Sequence, residues 1–440
     1  STKKKSKDRS SEPKLPSERY PNAPLVETHV TYPTPPNCEL CQSQLSDSGM
    51  SEDSEFLEII PKQIYIVRQM RHVYRCSTCH GCMKTAPLPP RIKPGSAYGD
   101  SMILDVALSK YCDLIPIERY ATIAGREGFK DLPPHSLIET SHALADLARP
   151  AAKLVEEQVL ADVALNADET PHNMLEGSPK KTWQLWGFSN RKSIFFHIRD
   201  TRSGTVAAPL LVKSACLFLT SDVFSGYSKA VADANALRAA QGKPLIQCAY
   251  CNAHARRKFK DASQAGQMKP EDPVDPEMLW FVEQYEVIYV LESQTKDLSP
   301  EGVLEVRAQM RPRFEAMKNR AEALSAAYSD RSAAAKALRY FLKNYRGFTL
   351  FLSETCLGID NNILERSLRN PVVGRKTWLG THSERGAETA AILFTLVESC
   401  KMIELNPREY FSALVKSLLS GKPAFTPLDY KTSQSLAQTA

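Results

Sequence analysis

The chain has 440 residues, 42% of them hydrophobic and 24% charged, with a formal net charge of +6. This is the balance of an ordinary soluble globular protein with room for two or three domains and one large core. Without a run of about 18 apolar residues the sequence excludes a membrane-spanning helix, and the opening STKKKSKDRS lacks the apolar stretch of a secretory leader.

Residues 1–37 are rich in Lys, Ser and Pro with almost no apolar periodicity, which predicts a flexible linker. Two knuckles follow, Cys38-x2-Cys41 and Cys76-x2-Cys79, among eleven cysteines in all. Paired at this spacing in a chain with no mark of secretion, they predict a structural Zn²⁺ ribbon over 38–90 and a reducing, cytoplasmic setting. The 34 residues between the knuckles make a long loop, and His80 or Cys82 could replace one ligand. Within that loop PKQIYIVRQMRHVYRC alternates as strands do, with Ile64, Ile66 and Val73 as inward positions. TAPLPPRIKPGSAYG then marks a break.

Over 97–160 the apolar spacing turns helical. IERYATIAGREGFKDLPPHSLIETSHAL reads as helix, glycine-containing turn and a second helix opened by Pro134 and Ser136. That is the outline of a helix-turn-helix-like DNA-binding domain, although helical hairpins that merely pack are commoner. Residues 161–253 switch to strand signals: ADVALNADETP, TWQLWGFSN and SIFFHIRDTR, a helical SGTVAAPLLV, then CLFLTSDVFSGY and PLIQCAYCNAH. Strands that first meander and then alternate with helices predict a mixed α/β sheet. Residues 254–350 read as a charged helical insertion, 351–415 as a return to the core, and 416–440 as a C-terminal tail.

Asp168 and Asp222 each follow an apolar strand, which places them at strand C-terminal ends, the edge where parallel neighbours bind ligands. A lone aspartate there more often caps the next turn. Two on neighbouring strands repel unless a cation lies between them, which points to Mg²⁺ or Mn²⁺. A third carboxylate comes from IDNNILERSLRNPVVGRKTW. On a helix, Asn361, Glu365 and Arg369 share an arc of about 80°, with Leu364 and Leu368 beside it. The leucines would pack on the sheet and hold Glu365 at its margin. The plainer alternative is a solvated face with a Glu/Arg pair, but adjacent asparagines are poor helix formers that gain little there. Either Asn361 or Asn362 would orient Glu365 or contact DNA. Basic groups border the acids: Arg256, Arg257 and Lys258 in one cluster, Arg366, Arg369, Arg375 and Lys376 in another. Such borders suit a site that holds phosphates and metal ions together.

ADET at Asp168, SDVFSGY at Asp222, CNAHARRKF from Cys251 and the Glu365 segment, behind a cysteine-knuckle region, together resemble the transposases of the insertion sequence 66 family over roughly residues 38–415. The resemblance implies an RNase H-like core with the triad Asp168, Asp222 and Glu365, and a bacterial, nucleoid-associated enzyme that cuts DNA at transposon terminal inverted repeats and joins the ends to target DNA. It also implies a homo-oligomer on DNA and accessory proteins of the same element. Two metal ions about 3.5–4 Å apart, held by three carboxylates, suit such in-line phosphoryl transfer. The 54 residues from Asp168 to Asp222 and the 143 from there to Glu365 leave space for the helical insertion. Val223, where the family commonly has glycine, and GRKTWLGTHSERG mark a divergent member. The alternatives are a nuclease or resolvase that cuts without joining, and a DNA-binding protein whose core is retired.

Of the other cysteines, Cys248-x2-Cys251-x2-His254 invites a second zinc but shows no fourth ligand, so packing or DNA proximity is the plainer reading. Cys112, Cys216, Cys356 and Cys400 sit in apolar surroundings and read as core. Trp183, Trp186 and Trp378 read as core rather than base-stacking platforms, Trp378 being the best candidate for an exception.

Overall fold

The computed structural model describes residues 15–21, 23–50, 54–58, 62–78, 83–176, 180–263 and 274–439. The chain divides into two compact units, Ser1–Gln69 and Met70–Ala440. The linker expected over 1–37 lies outside the described residues for 1–14.

In the first unit α1 (Pro16–Arg19) is a single turn. The Ser17 amide and hydroxyl both donate to the Glu55 carboxylate at 2.8 Å. The first knuckle is a tight turn: the Cys38 amide donates to the Ser43 carbonyl at 2.7 Å and the Gln42 amide to the Cys38 carbonyl at 2.9 Å. Gln42 takes a positive φ of 63° to close it. The alternating run expected as strand is not one over 62–72. Ile66 is 90% exposed and Val73 54%. Only β1 (Val73–Arg75) forms, pairing antiparallel with β2 (Met83–Thr85). Alternation defines a strand only where another layer covers the apolar face, and a two-stranded ribbon has none.

The second unit continues with α2 (Asp100–Tyr111), α3 (Ile117–Arg126) and α4 (Pro134–Leu160), the last opened by a proline at its first position, where a missing N–H costs nothing. These helices do not build a separate core. Ile103, Leu144, Ala148 and Val155 join the same apolar cluster as Phe188 and Phe195 of the sheet, while α3 sits on a satellite of Val106, Ile117, Tyr120 and Leu137.

The sheet contains β3 (Ala164–Asn173), β4 (Thr182–Ser189), β5 (Ile194–Arg199), β6 (Phe218–Ser221) and β7 (Gln247–Tyr250), with α5 (Ala207–Lys213) and α6 (Ser225–Ala240) as crossovers. Its order is β5-β4-β3-β6-β7: an antiparallel meander joined through β3 to a parallel pair. The mixed α/β architecture is therefore as expected from the alternation of elements.

Helices α7 (Asn252–Ser263), α8 (Pro276–Ser293), α9 (Pro300–Ala308), α10 (Arg311–Leu324), α11 (Ala333–Lys343) and α12 (Tyr345–Thr349) follow, with a 3-10 turn at Leu350–Leu352. They surround their own aromatic core, in which the Phe259 and Phe281 rings stack with centroids 4.4 Å apart beside Tyr285, Phe314 and Phe341. The chain returns to the sheet through α13 (Asn362–Trp378) and α14 (Glu384–Met402), and ends in α15 (Pro407–Leu419) and α16 (Pro427–Thr439). α14 covers the sheet at its edge strand. The Thr395 hydroxyl accepts from the Phe196 amide at 3.0 Å, and the Ser399 hydroxyl accepts from the Ile194 amide at 3.1 Å and donates to its carbonyl at 2.9 Å. Backbone groups that an edge strand would leave unpaired are thereby satisfied by a helix. The segment from 416 onward, expected as a tail, holds the end of α15 and α16, and Phe425 and Tyr430 stack on each other and meet Tyr410 edge-on. No described helix is long and apolar enough to cross a membrane.

Arg307 is the polar pin of the insertion. Only 2% exposed, it pairs with Glu292 at 2.5 Å and donates to the carbonyls of Phe351, Glu354 and Leu357 at 2.6, 3.1 and 2.9 Å. Removing it strands a carboxylate and three carbonyls. Arg307→Met should lower stability by about 3–5 kcal/mol in urea unfolding followed by circular dichroism.

Candidate active site

The last parallel pair between β3 and β6 is Asn166↔Thr220. Asp168 and Asp222 each stand two residues beyond it, on adjacent strands. Asp222 is just past the end of β6, as its sequence context predicts. Asp168 is not at a strand end: β3 runs on to Asn173 because Asp168 pairs across with Gly187 of β4. It stands where β3 loses its parallel neighbour, which leaves that side of the strand open.

Glu365 occupies the first turn of α13. Leu364 (0% exposed) and Leu368 (5%) bury the adjoining face, so the predicted stripe packs inward. A Cβ at Gly187 would lie 3.1 Å from Leu364 Cδ1. The glycine opposite Asp168 is thus the gap into which α13 settles. Asn361, 1% exposed, donates its amide to the Ala167 carbonyl at 3.1 Å, tying the helix start to the residue before Asp168. Asn362 turns inward to its own chain: its side-chain amide donates to Asp360 Oδ2 at 2.6 Å and its backbone N–H to Oδ1 at 3.0 Å. Of the two asparagines, Asn361 is therefore the one that holds Glu365 in position.

The Asp168 carboxyl is pushed up to about 7, first by burial, then by the charge of Glu169 and, less, by Asp222 and Glu365; the Glu169 amide, donating at 2.8 Å, opposes this. All three acids singled out in the sequence therefore share one electrostatic neighbourhood. Their carboxylates are hard oxygen donors, the chemistry that Mg²⁺ or Mn²⁺ takes, although among the described residues these three do not bring their oxygens within 4.8 Å of one another. The capping reading of Asp222 is met, since its Oδ1 accepts from the Phe224 amide at 3.1 Å in the turn ahead of α6. Glu169 faces Arg202 at 2.7 Å and accepts from the Tyr227 hydroxyl at 2.5 Å.

Among the described residues, one close group of metal-ligating side chains is one that sequence spacing did not assemble. Cys251, His254 and Glu365 bring their donor atoms within 4.8 Å of one another. Glu365 Oε1 is 3.6 Å from His254 Nδ1 and 4.0 Å from Cys251 Sγ. The CNAH segment signals half of this, because Cys251 leads into α7 and His254 lies in its first turn. Cys248, weighed as a third member, is not in the group. Cys216 and Cys400 are buried as expected, whereas Cys112 and Cys356 pack half-buried at core margins. Trp186 is fully buried; Trp183 and Trp378 are half-buried, the latter edge-on to Tyr111 with Lys110 Nζ 5.3 Å from its ring.

Among the basic candidates Arg257, Arg366, Arg369 and Lys376 are exposed. Arg256 is engaged by Glu286 at 2.9 Å, and Lys258 lies over the Tyr340 ring at 4.7 Å. Arg375 is half-buried, and desolvation draws its pKa down. In the knuckles, the Ser43 amide, its hydroxyl and the Cys38 thiol hold the exposed Cys41 thiol below its ordinary value. Cys76 follows β1. Cys79, His80 and Cys82 lie outside the described residues.

Comparison with known proteins adds the following. The model described as "Transposase IS66 family" matches residues 95–389, and "zinc-finger binding domain of transposase IS66" matches 35–80, which supports Zn²⁺ binding there. Two relatives come from Sinorhizobium fredii (strain NBRC 101917 / NGR234). "Uncharacterized protein y4hP" is 27% identical over 406 residues, 88% of this chain and 71% of the relative. "Uncharacterized protein y4jD" is 26% identical over 405 residues, 89% and 76% of the two chains.

Because the folded chain holds the Asp168 proton more tightly than the unfolded chain, the native state binds more protons between the ordinary carboxyl value and about 7. Stability of the metal-free protein thus falls as pH rises through that window. Asp168→Asn should flatten this slope and raise stability at pH 8 in EDTA by on the order of 1–4 kcal/mol, read by thermal unfolding across pH.

Proposed function

Since this chain belongs to the IS66 transposase family, we propose that it cleaves DNA at transposon terminal inverted repeats and joins the freed 3′ ends to target DNA, on an RNase H-like core. One observation supports the reading: Asp168 and Asp222 stand just beyond the end of the β3–β6 pairing, and the helix that carries Glu365, tied to β3 through Asn361, brings its charge within reach of Asp168.

Asp168, Asp222 and Glu365 would hold Mg²⁺ or Mn²⁺. Bound there, the ions supply activation of a water or 3′-hydroxyl and stabilisation of the leaving oxygen. Asn361 keeps Glu365 in register with Asp168 through the Ala167 carbonyl. The buried floor of Leu364 and Leu368 excludes water from beneath the site. Arg366 and Arg369, exposed one turn apart on α13, would take backbone phosphates and position the strand rather than read bases. Asn362, held by Asp360, has less freedom to reach DNA than its exposed neighbours. The knuckle region 38–90, with Cys38, Cys41, Cys76 and Cys79 as Zn²⁺ ligands, and the helical segment 97–160 would contribute further DNA contacts. Assembly as a homo-oligomer on DNA, with accessory proteins of the element in the bacterial cytoplasm, completes the reading.

Incubation with Mg²⁺ or Mn²⁺ and DNA bearing the element's terminal repeats should yield strand-transfer products, and Glu365→Gln should reduce them at least ~100-fold. Nicks without joining would indicate a nuclease instead. Binding that ignores metal, with no cleavage, would indicate a retired core. Separately, Arg366→Ala with Arg369→Ala should weaken binding about equally across DNA sequences. The log–log salt dependence should become shallower by about 2, as measured by fluorescence anisotropy.

A further inference from the structure

Glu365 belongs to two donor sets of different hardness. Its charge is felt at Asp168, and its carboxylate stands near a thiol and an imidazole. The separations in that second set are informative. At 3.6 Å the His254 Nδ1 to Glu365 Oε1 distance exceeds a hydrogen bond, and the 4.0 Å from Cys251 Sγ is a long contact even for sulfur. His254 Nδ1 is buried and makes no hydrogen bond. An orphaned buried nitrogen costs about 1–3 kcal/mol unless something else meets it. Around a tetrahedral zinc with ordinary bond lengths, such donors stand about 3.4–3.6 Å apart. The two separations from Glu365 lie at or somewhat beyond that range, and the three donor atoms stay within 4.8 Å of one another.

The surroundings suit a cation as well. The backbone N–H of Asn361 donates to Cys251 Sγ at 3.3 Å, an interaction that favours a thiolate and fixes the sulfur's direction. His254 and Glu365 keep 28% and 27% of their side chains exposed, which leaves an entry path and an open fourth position for water. Asn361 Oδ1 is another buried polar atom without a hydrogen bond. The same asparagine therefore borders both donor sets.

We propose that Cys251, His254 and Glu365 form a mononuclear site for a borderline or soft divalent cation of the Zn²⁺ type, separate from the cysteine knuckles and sharing Glu365 with the carboxylate set. Because one carboxylate serves both, a cation held by Cys251 and His254 draws Glu365 away from Asp168 and Asp222. That consequence, though not the site itself, rests on the transposase reading above. The site thus discriminates by softness: Mg²⁺ has no use for sulfur, whereas Zn²⁺, Co²⁺ and Cd²⁺ do.

The test is Co²⁺ titration of the metal-free full-length chain, following thiolate-to-cobalt charge-transfer absorption and bound metal per chain. The wild-type protein should take up one equivalent more than Cys251→Ser and than His254→Gln, with circular dichroism unchanged in both. Cys38→Ser, which disables a knuckle, should keep the extra thiolate band, and so should Asp168→Asn and Asp222→Asn. If folded Cys251→Ser binds as much Co²⁺ as wild type, or if the band disappears with Cys38→Ser alone, the site does not exist. Failure of strand transfer under every metal would instead overturn the transposase reading, and the cobalt result would stand.

Discussion

The parallel pairing of β3 with β6 stops at Asn166 and Thr220, and the rest of the site follows from where it stops. Beyond that rung β3 keeps only β4 as a strand neighbour, with ties from Asn361 to the Ala167 carbonyl and from Thr381 to the Asn173 carbonyl, and β6 ends and turns toward α6. Two carboxylates emerge on adjacent strands at a place where neither can be relieved by a ladder partner. The opposite rung on β4 is Gly187, and the missing side chain is what lets Leu364 descend onto the sheet. A helix that can descend brings its next residue, Glu365, down to the sheet margin.

That geometry requires the chain to come back from a long excursion with little freedom. The insertion manages this with a core of its own and with polar ties. Arg307 gathers the carbonyls of Phe351, Glu354 and Leu357, and the Asn252 side chain donates to the carbonyls of Phe348 and Ile359 at 3.0 Å each. Tyr285 donates its hydroxyl to Asn252 Oδ1 at 3.1 Å, linking the aromatic cluster to the same tie. Apolar packing tolerates sliding by a fraction of a turn, whereas a buried hydrogen-bond set has one arrangement that satisfies it. The direction in which α13 leaves the insertion is accordingly specified by polar groups and its depth by leucines.

The crowding that results is unfavourable for the metal-free chain: burial and three neighbouring acids hold a proton on Asp168. Such a cluster persists because the surrounding core over-determines it, with α14 sealing the edge of the meander and α4 packed across the same cluster.

Much of this was legible in the residues in order. Apolar periodicity marked α4 and α13, apolar runs leading into acids marked β3 and β6, and the spacing of Leu364, Glu365 and Leu368 announced which face of α13 would be buried. These are local properties, set by the period of a helix or strand and by the chemistry of a few neighbours. What the order of residues left open was decided by contacts between segments more than a hundred positions apart. Cys251 meets Glu365, Asn361 rather than Asn362 reaches the Ala167 carbonyl, and Gly187 makes room for Leu364. The alternating run at 62–72 shows the converse, since without a covering layer its pattern produced no strand. By itself the sequence determined the elements and the chemical types available; only the tertiary structure decided which of them share a site, because that depends on where one pairing ends and how deeply one helix settles.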